Sequence, residues 1–167
     1  MKARKVKLDP DAPLGESLLT ILSVRLDELY SFDAGEPADL HDLRIAAKRV
    51  RYILEAAEPV FGEPAASGVK TMKQLQDLLG EIHDCDELLP LIAQHQDTLR
   101  AEDAAAARAG EQLPNRRKYR GLETLRAQTV AERDRLYARF SKKWARLEKD
   151  AFRKRLEREL AQAGVPA

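Results

Sequence analysis

The stretch HDLRIAAKRVRY, residues 41–52, holds one histidine, three arginines and one lysine, and it ends on a tyrosine. Those residue types suit phosphate. A guanidinium presents a planar fork that gives paired, charge-assisted hydrogen bonds, and lysine adds a compact cation with less directional demand. At about 100° per residue, His41, Arg44, Lys48, Arg51, Tyr52 and Glu55 share one side of a helix. Leu43, Ala46, Ala47, Val50, Ile53, Leu54 and Ala57 take the opposite side, and Arg49 lies between. Periodicity alone leaves two readings open: a solvated charged face over a core-facing stripe, or a surface aimed at an anion.

A second basic feature lies near the end of the chain. Arg135, Arg139, Lys142, Arg146, Lys149 and Arg153 step by three or four and form one stripe over about five helical turns. Here too a solvated face and a polyanion surface fit equally well. Such a surface would bind a long anionic polymer by displacing its counterions. Tyr52, Tyr119, Tyr137 and Trp144 make no base-stacking platform, which favours phosphate itself over single-stranded nucleic acid.

Other chemistry has weaker support. His41, His83 and His95 form no metal-binding pair of the H-x-x-x-H kind. His83, Asp84, Cys85 and Asp86 are consecutive, but neighbours on a helix point in different directions. Cys85 is the only cysteine, which excludes an internal disulfide, and it reads as a small apolar residue. No nucleophile elbow or triad signature is present. Asp77 and Asp84 are better suited to orient basic side chains than to hold a magnesium ion. No catalytic residue, metal or cofactor is assigned.

The elements that must position these residues read as helices. The chain has 167 residues, 34 % charged and 5 % aromatic, which favours an all-α domain. A basic, flexible N-terminal arm is expected over residues 1–13, and a single helical domain over 14–163. A first helix is expected from Leu14 to Ser31, with Leu18, Leu22, Leu26 and Leu29 on one stripe. Asp39 is placed as the side-chain cap of a second helix over Leu40–Glu58. A third starts near Ala65, and Pro90 should kink or end it; an alanine-rich run could carry it to Ala109. A long, unbroken fourth helix is expected from Arg116 to Ala163. Short connections between four helices predict an antiparallel four-helix bundle.

The net charge of +1 conceals a split. Residues 1–110 carry 13 basic and 20 acidic side chains, and residues 111–167 carry 16 and 8. Local charged surfaces follow. No signal-peptide pattern or membrane span is read, so a cytoplasmic protein is expected.

Two motifs carry a resemblance. His41, Arg44, Lys48, Arg49 and Arg51 in LHDLRIAAKRVRYILEAAEPVFG, and Leu79, Gly80, His83 and Asp84 in LQDLLGEIHDCDELL, are similar to the CHAD family, the conserved-histidine α-helical domains. The resemblance covers about Leu14 to Leu91. It implies a helical module that binds inorganic polyphosphate without catalysis and can associate with polyphosphate granules. Carried over by position, it implies contacts from His41, Arg44, Lys48, Arg49, Arg51, Lys73 and His83, with Tyr52, Asp77 and Asp84 in support. Arg139, Lys142 and Arg146 are added on physical grounds. Each motif occurs once, so the chain resembles one half of a CHAD domain. Either one bundle binds through an open basic face, or two chains pair as a homodimer. The competing readings are a metal-dependent phosphohydrolase, acting on polyphosphate or nucleotides, and a bundle that binds nucleic acid or an acidic protein.

Overall fold

The computed structural model describes residues 2–163. Among these the regular structure is entirely helical: α1 (Leu14–Leu29), a 3-10 turn (Pro37–Asp39), α2 (Leu40–Phe61), α3 (Glu63–Arg108), α4 (Tyr119–Lys149) and α5 (Phe152–Ala163). The described residues form two compact units. The first takes those up to Gly80 and from Arg139 onward, and the second is Glu81–Ala138.

In the first unit, the leucine stripe of α1 is buried and packs along α2. Ala46, Ala47 and Val50 are fully covered, and their small size lets neighbouring backbones approach closely. Gly62 alone links α2 to α3, with φ of 62°. That left-handed conformation suits glycine, and its N–H closes α2 on the Glu58 carbonyl at 2.8 Å. A one-residue link folds α3 back along α2.

Three local expectations are corrected. Asp39 occupies the cap position of α2 but does not cap it through its side chain. Its own backbone is helical, so the carboxylate turns away and accepts from the Asp33 N–H at 3.0 Å. Pro90 does not end α3, which continues to Arg108. A mid-helix proline costs about 3 kcal/mol, but Pro90 is exposed while Ile92 beside it is buried. Packing on the inner face outweighs the lost hydrogen bond.

The long C-terminal helix is two helices. It breaks after Lys149, where Ala151 adopts φ of 46°. The cause is a change of phase. Leu136, Phe140, Trp144 and Leu147 form one buried stripe, whereas buried Phe152, Leu156 and Leu160 stand about 100° or more around the axis from its continuation. An unbroken helix would leave them exposed. The break lets both sets be buried, and α5 also touches α1.

The second unit is an antiparallel helical hairpin made of α3 from Glu81 and α4 up to Ala138. Ile82, Ile92 and Leu99 of α3, with Thr129 and Leu136 of α4, form its buried seam. Polar pairs fix the register: Gln96 donates to Glu123 at 2.8 Å, and the Arg133 guanidinium holds Asp86. At the turn, buried Asn115 donates its backbone N–H to Asp103 at 3.0 Å and its side chain to Glu102 at 2.7 Å. The Tyr119 hydroxyl donates to the other oxygen of Asp103 at 2.8 Å.

Candidate functional site

The face of α2 away from the core carries the cations that the sequence singles out. Two glycines of α3 set its register against α2. A Cβ on Gly68 would lie 3.0 Å from Leu54 Cδ1, and one on Gly80 would lie 3.7 Å from Arg44 Nε. Since the two helices are antiparallel, these contacts put Arg51 level with Lys73 and Lys48 level with Asp77. Lys73, Asp77 and Gly80 share one stripe of α3 by helical spacing. Arg44, Lys48 and Arg51 therefore run beside Lys73 along the α2–α3 seam, about one turn, or 5 Å, between successive α2 members.

The row has internal support. Tyr52 is exposed, and both neighbouring cations lie over its ring: Lys48 Nζ is 5.6 Å and the Arg51 guanidinium carbon 5.0 Å from its centre. The ring's negative face favours two like charges that would otherwise repel. Glu55 lies 3.5 Å from Arg51. Arg44 is held differently. Its Nε is buried without a hydrogen-bond partner among the described residues, and it lies over Gly80, where no side chain intervenes. His41 is exposed in the first turn of α2.

Arg49 belongs to a separate cluster. Its guanidinium lies 3.8 Å from the carboxylate of Glu28, which is 1 % exposed. Glu28 also accepts from Arg25 at 2.7 Å and from the backbone N–H of Arg4, while the Arg4 carbonyl accepts from Arg25 at 2.9 Å. Burial pushes the Glu28 carboxyl up. The hydrogen bonds from Arg25 and Arg4, with the charges of Arg25 and Arg49, outweigh it and hold the group below its ordinary 4.5. One buried carboxylate thus ties the N-terminal segment, α1 and α2 together, and Arg49 is its partner on α2.

Arg139, Lys142 and Arg146 are exposed on α4. Beside that stripe, Lys143 reaches α3 and donates to Gln74 Oε1 at 2.6 Å. Burial, then the charge of Arg146, holds the Lys143 ammonium below its ordinary 10.5. Gln74 follows Lys73 but stands about 100° further round α3, so α4 adds a cation beside α3 and not within the α2–α3 row. Sequence reasoning missed Lys143, although its place one turn from both Arg139 and Arg146 was a usable signal. It also missed Glu28, an acidic residue within a leucine stripe.

His83 and Asp84 fall in the second unit, His83 half-buried and Asp84 exposed. Asp84, Cys85 and Leu88 of α3 line a shallow apolar groove with Gln128, Thr129 and Glu132 of α4. Cys85 is partly buried. Burial first, then the charges of Glu132, Asp86 and Asp84, push its thiol above the ordinary 9.0, so it stays protonated near neutral pH. Among the described residues, no three His, Cys, Asp or Glu side chains are grouped to hold a metal ion. No described helix is long and apolar enough to cross a membrane.

The family model described as CHAD domain matches residues 4–93, more than half of the chain. The match spans α1, α2 and the first part of α3, and so contains the whole α2–α3 row. No curated protein and no solved structure matches the chain.

Proposed function

The chain belongs to the CHAD domain family, and on that premise we propose that its first unit binds inorganic polyphosphate without catalysis. The helical fold would act as one half of a CHAD domain, a four-helix bundle whose open basic face captures the polyanion electrostatically. The contacts are Arg44, Lys48, Arg51 and Lys73, with His41 at the start of α2. Lys143, Arg139, Lys142 and Arg146 extend the surface from α4. Association with polyphosphate granules follows from the same chemistry.

The observation that carries this reading is Arg44. A buried guanidinium nitrogen without a hydrogen-bond partner costs free energy; Arg51 Nε is in the same state but has Glu55 at 3.5 Å, whereas Arg44 has no carboxylate within 4 Å among the described residues, so its charge is left for an incoming anion to neutralise. Arg49, by contrast, already faces the Glu28 carboxylate. The row is linear, the ligand is linear, and the supporting aromatic holds cations rather than stacking bases.

The test compares polyphosphate affinity in the parent and two folded variants. Arg44→Ala with Lys48→Ala should bind at least about tenfold more weakly, because each cation contributes charge-assisted hydrogen bonds. Arg49→Ala should bind nearly as the parent does. Equal affinity in all three would remove the α2 row from the site.

A further inference from the structure

Glu28 is a buried carboxylate that the polyphosphate reading leaves without a role. It stands at the far end of α1 and holds the N-terminal segment there. It accepts from the Arg4 N–H, and Arg25, which donates to Glu28 at 2.7 Å, also donates to the Arg4 carbonyl at 2.9 Å. Since α1 begins at Leu14, residues 4–13 run back along it, over about 21 Å. The helices α1 and α2 are antiparallel: a Cβ on Gly15 would lie 3.5 Å from Phe61, while Glu28 meets Arg49 at 3.8 Å. The segment therefore passes Arg49 first and the later turns of α2 afterwards, all within the first unit.

This course puts charge on the edge of the α2 face that α3 does not line. At about 100° per residue, Arg44 and Arg51 stand about 40° and 60° from Lys48 toward α3, and Arg49 stands about 100° from it the other way. Residues 2–7 hold Lys2, Arg4, Lys5 and Lys7 and no acidic residue. Of residues 2–11 only Val6 is partly buried. Side chains alternate along an extended chain, so Arg4 and Val6 share the inner side, and Lys5 and Lys7 the outer. Lys7 stands about 10 Å beyond Arg4, or about two turns of α2 past Arg49, so the two lysines flank Tyr52 and Ala56. Neither makes an ion pair among the described residues. Beyond Arg49 this flank of α2 presents Ile53, Ala56 and Val60, with no acidic residue. The acidic groups nearby lie outside the pair: Asp42 about 10 Å before Arg49, and Asp9 and Asp11 beyond Lys7, where Asp9 accepts from the Asp11 N–H at 3.0 Å.

Resting on the polyphosphate reading, we infer that Glu28 is a positioning residue for that ligand. It latches the basic N-terminal segment beside α2, so that Lys5 and Lys7 form a second line of cations, across Lys48 and Tyr52 from Arg44, Arg51 and Lys73. The polyanion lies on α2 between the two lines. A latched segment is ordered on folding, so binding does not have to order it. Charge alone gives Glu28 the opposite effect: removing a carboxylate near the site should tighten a polyanion, whereas releasing the latch should loosen it.

The test titrates the full chain with long-chain polyphosphate at several salt concentrations, and follows tryptic cleavage after Lys5 and Lys7 without ligand. Glu28→Gln should be cut faster in the segment and bind roughly three- to tenfold more weakly, with the helical circular dichroism of the parent. Arg25→Gln, which removes the donor to the Arg4 carbonyl, should do the same, and it replaces Glu28→Gln if that variant does not fold. Lys5→Gln with Lys7→Gln should weaken binding and lower the salt slope by about two. Adding Glu28→Gln to that pair should bring no further loss, since Glu28 acts through the two lysines. Unchanged or tighter binding by Glu28→Gln, or an additive loss in the combined variant, overturns the latch. A parent that binds polyphosphate equally well without the two lysines overturns this inference alone, whereas a parent that binds no polyphosphate overturns the reading beneath it as well.

Discussion

Arg44 Nε lies 3.7 Å from the point where a Cβ on Gly80 would stand. The residues come from the two separate sequence motifs, and the structure makes them one contact. Glycine at this position leaves room for the guanidinium on the α2–α3 seam. Ala at Gly80 would meet Arg44 only at ordinary contact distance, whereas a larger residue would displace it. Gly80→Leu should therefore lower polyphosphate affinity without lowering helix content. Calorimetric titration of that variant, beside its circular dichroism, checks this.

The two α3 glycines should respond oppositely to alanine. A glycine within a helix costs up to about 1 kcal/mol relative to alanine. Gly80→Ala should recover much of that and raise the urea midpoint. At Gly68 the new Cβ would meet Leu54 at 3.0 Å and Leu156 at 3.2 Å. Both leucines are buried and hemmed in, so Gly68→Ala should lose about 1–2 kcal/mol by overpacking. Urea unfolding of both variants tests the pair.

The Glu28 cluster makes stability depend on acid. Its carboxyl is held below 4.5 in the folded chain. A depressed carboxyl contributes stability above its unfolded value, and that contribution is lost as pH falls through the folded one. Stability should therefore decline below about pH 4.5 more steeply in the parent than in Glu28→Gln. At neutral pH Glu28→Gln should be less stable by about 2 kcal/mol or more, since Arg25 and Arg49 lose a buried partner. Urea unfolding across that pH range reads both effects.

Ala151 holds a left-handed backbone at φ of 46° and is exposed. Glycine adopts that conformation freely, so Ala151→Gly should stabilise the chain by about 1 kcal/mol. Ala151→Val should destabilise it by a similar amount or more, because a β-branched side chain is worse there. Thermal melts of the two variants should move in opposite directions.

Much of this was legible in the sequence because it rests on periodicity. The α1 leucines, the α2 core stripe and the cations opposite it follow from spacing near 3.6. The break at Ala151 was also encoded, in the shift from Phe140, Trp144 and Leu147 to Phe152, Leu156 and Leu160. A count of apolar residues conceals it, and a check of their phase reveals it. Asp39 looked like a cap because residue type was read without its backbone conformation. Pro90 left a stop open as one of two readings because local propensity was weighed without the packing of Ile92, while the alanine-rich run already pointed to the continuation that ends at Arg108. The separation of Arg49 from Arg44, Lys48 and Arg51 depends on Glu28, more than twenty residues upstream. A motif that lists the four arginine and lysine residues together cannot show which of them already has a carboxylate.

The central claim is tested most directly by titration calorimetry of the full chain with long-chain polyphosphate at near-physiological salt, with heparin and duplex DNA at matched charge. The account predicts that polyphosphate binds the more tightly, that its affinity falls steeply as salt rises, and that Arg44→Ala with Lys48→Ala abolishes the preference. Equal binding of all three polyanions, or no binding of polyphosphate, would contradict it.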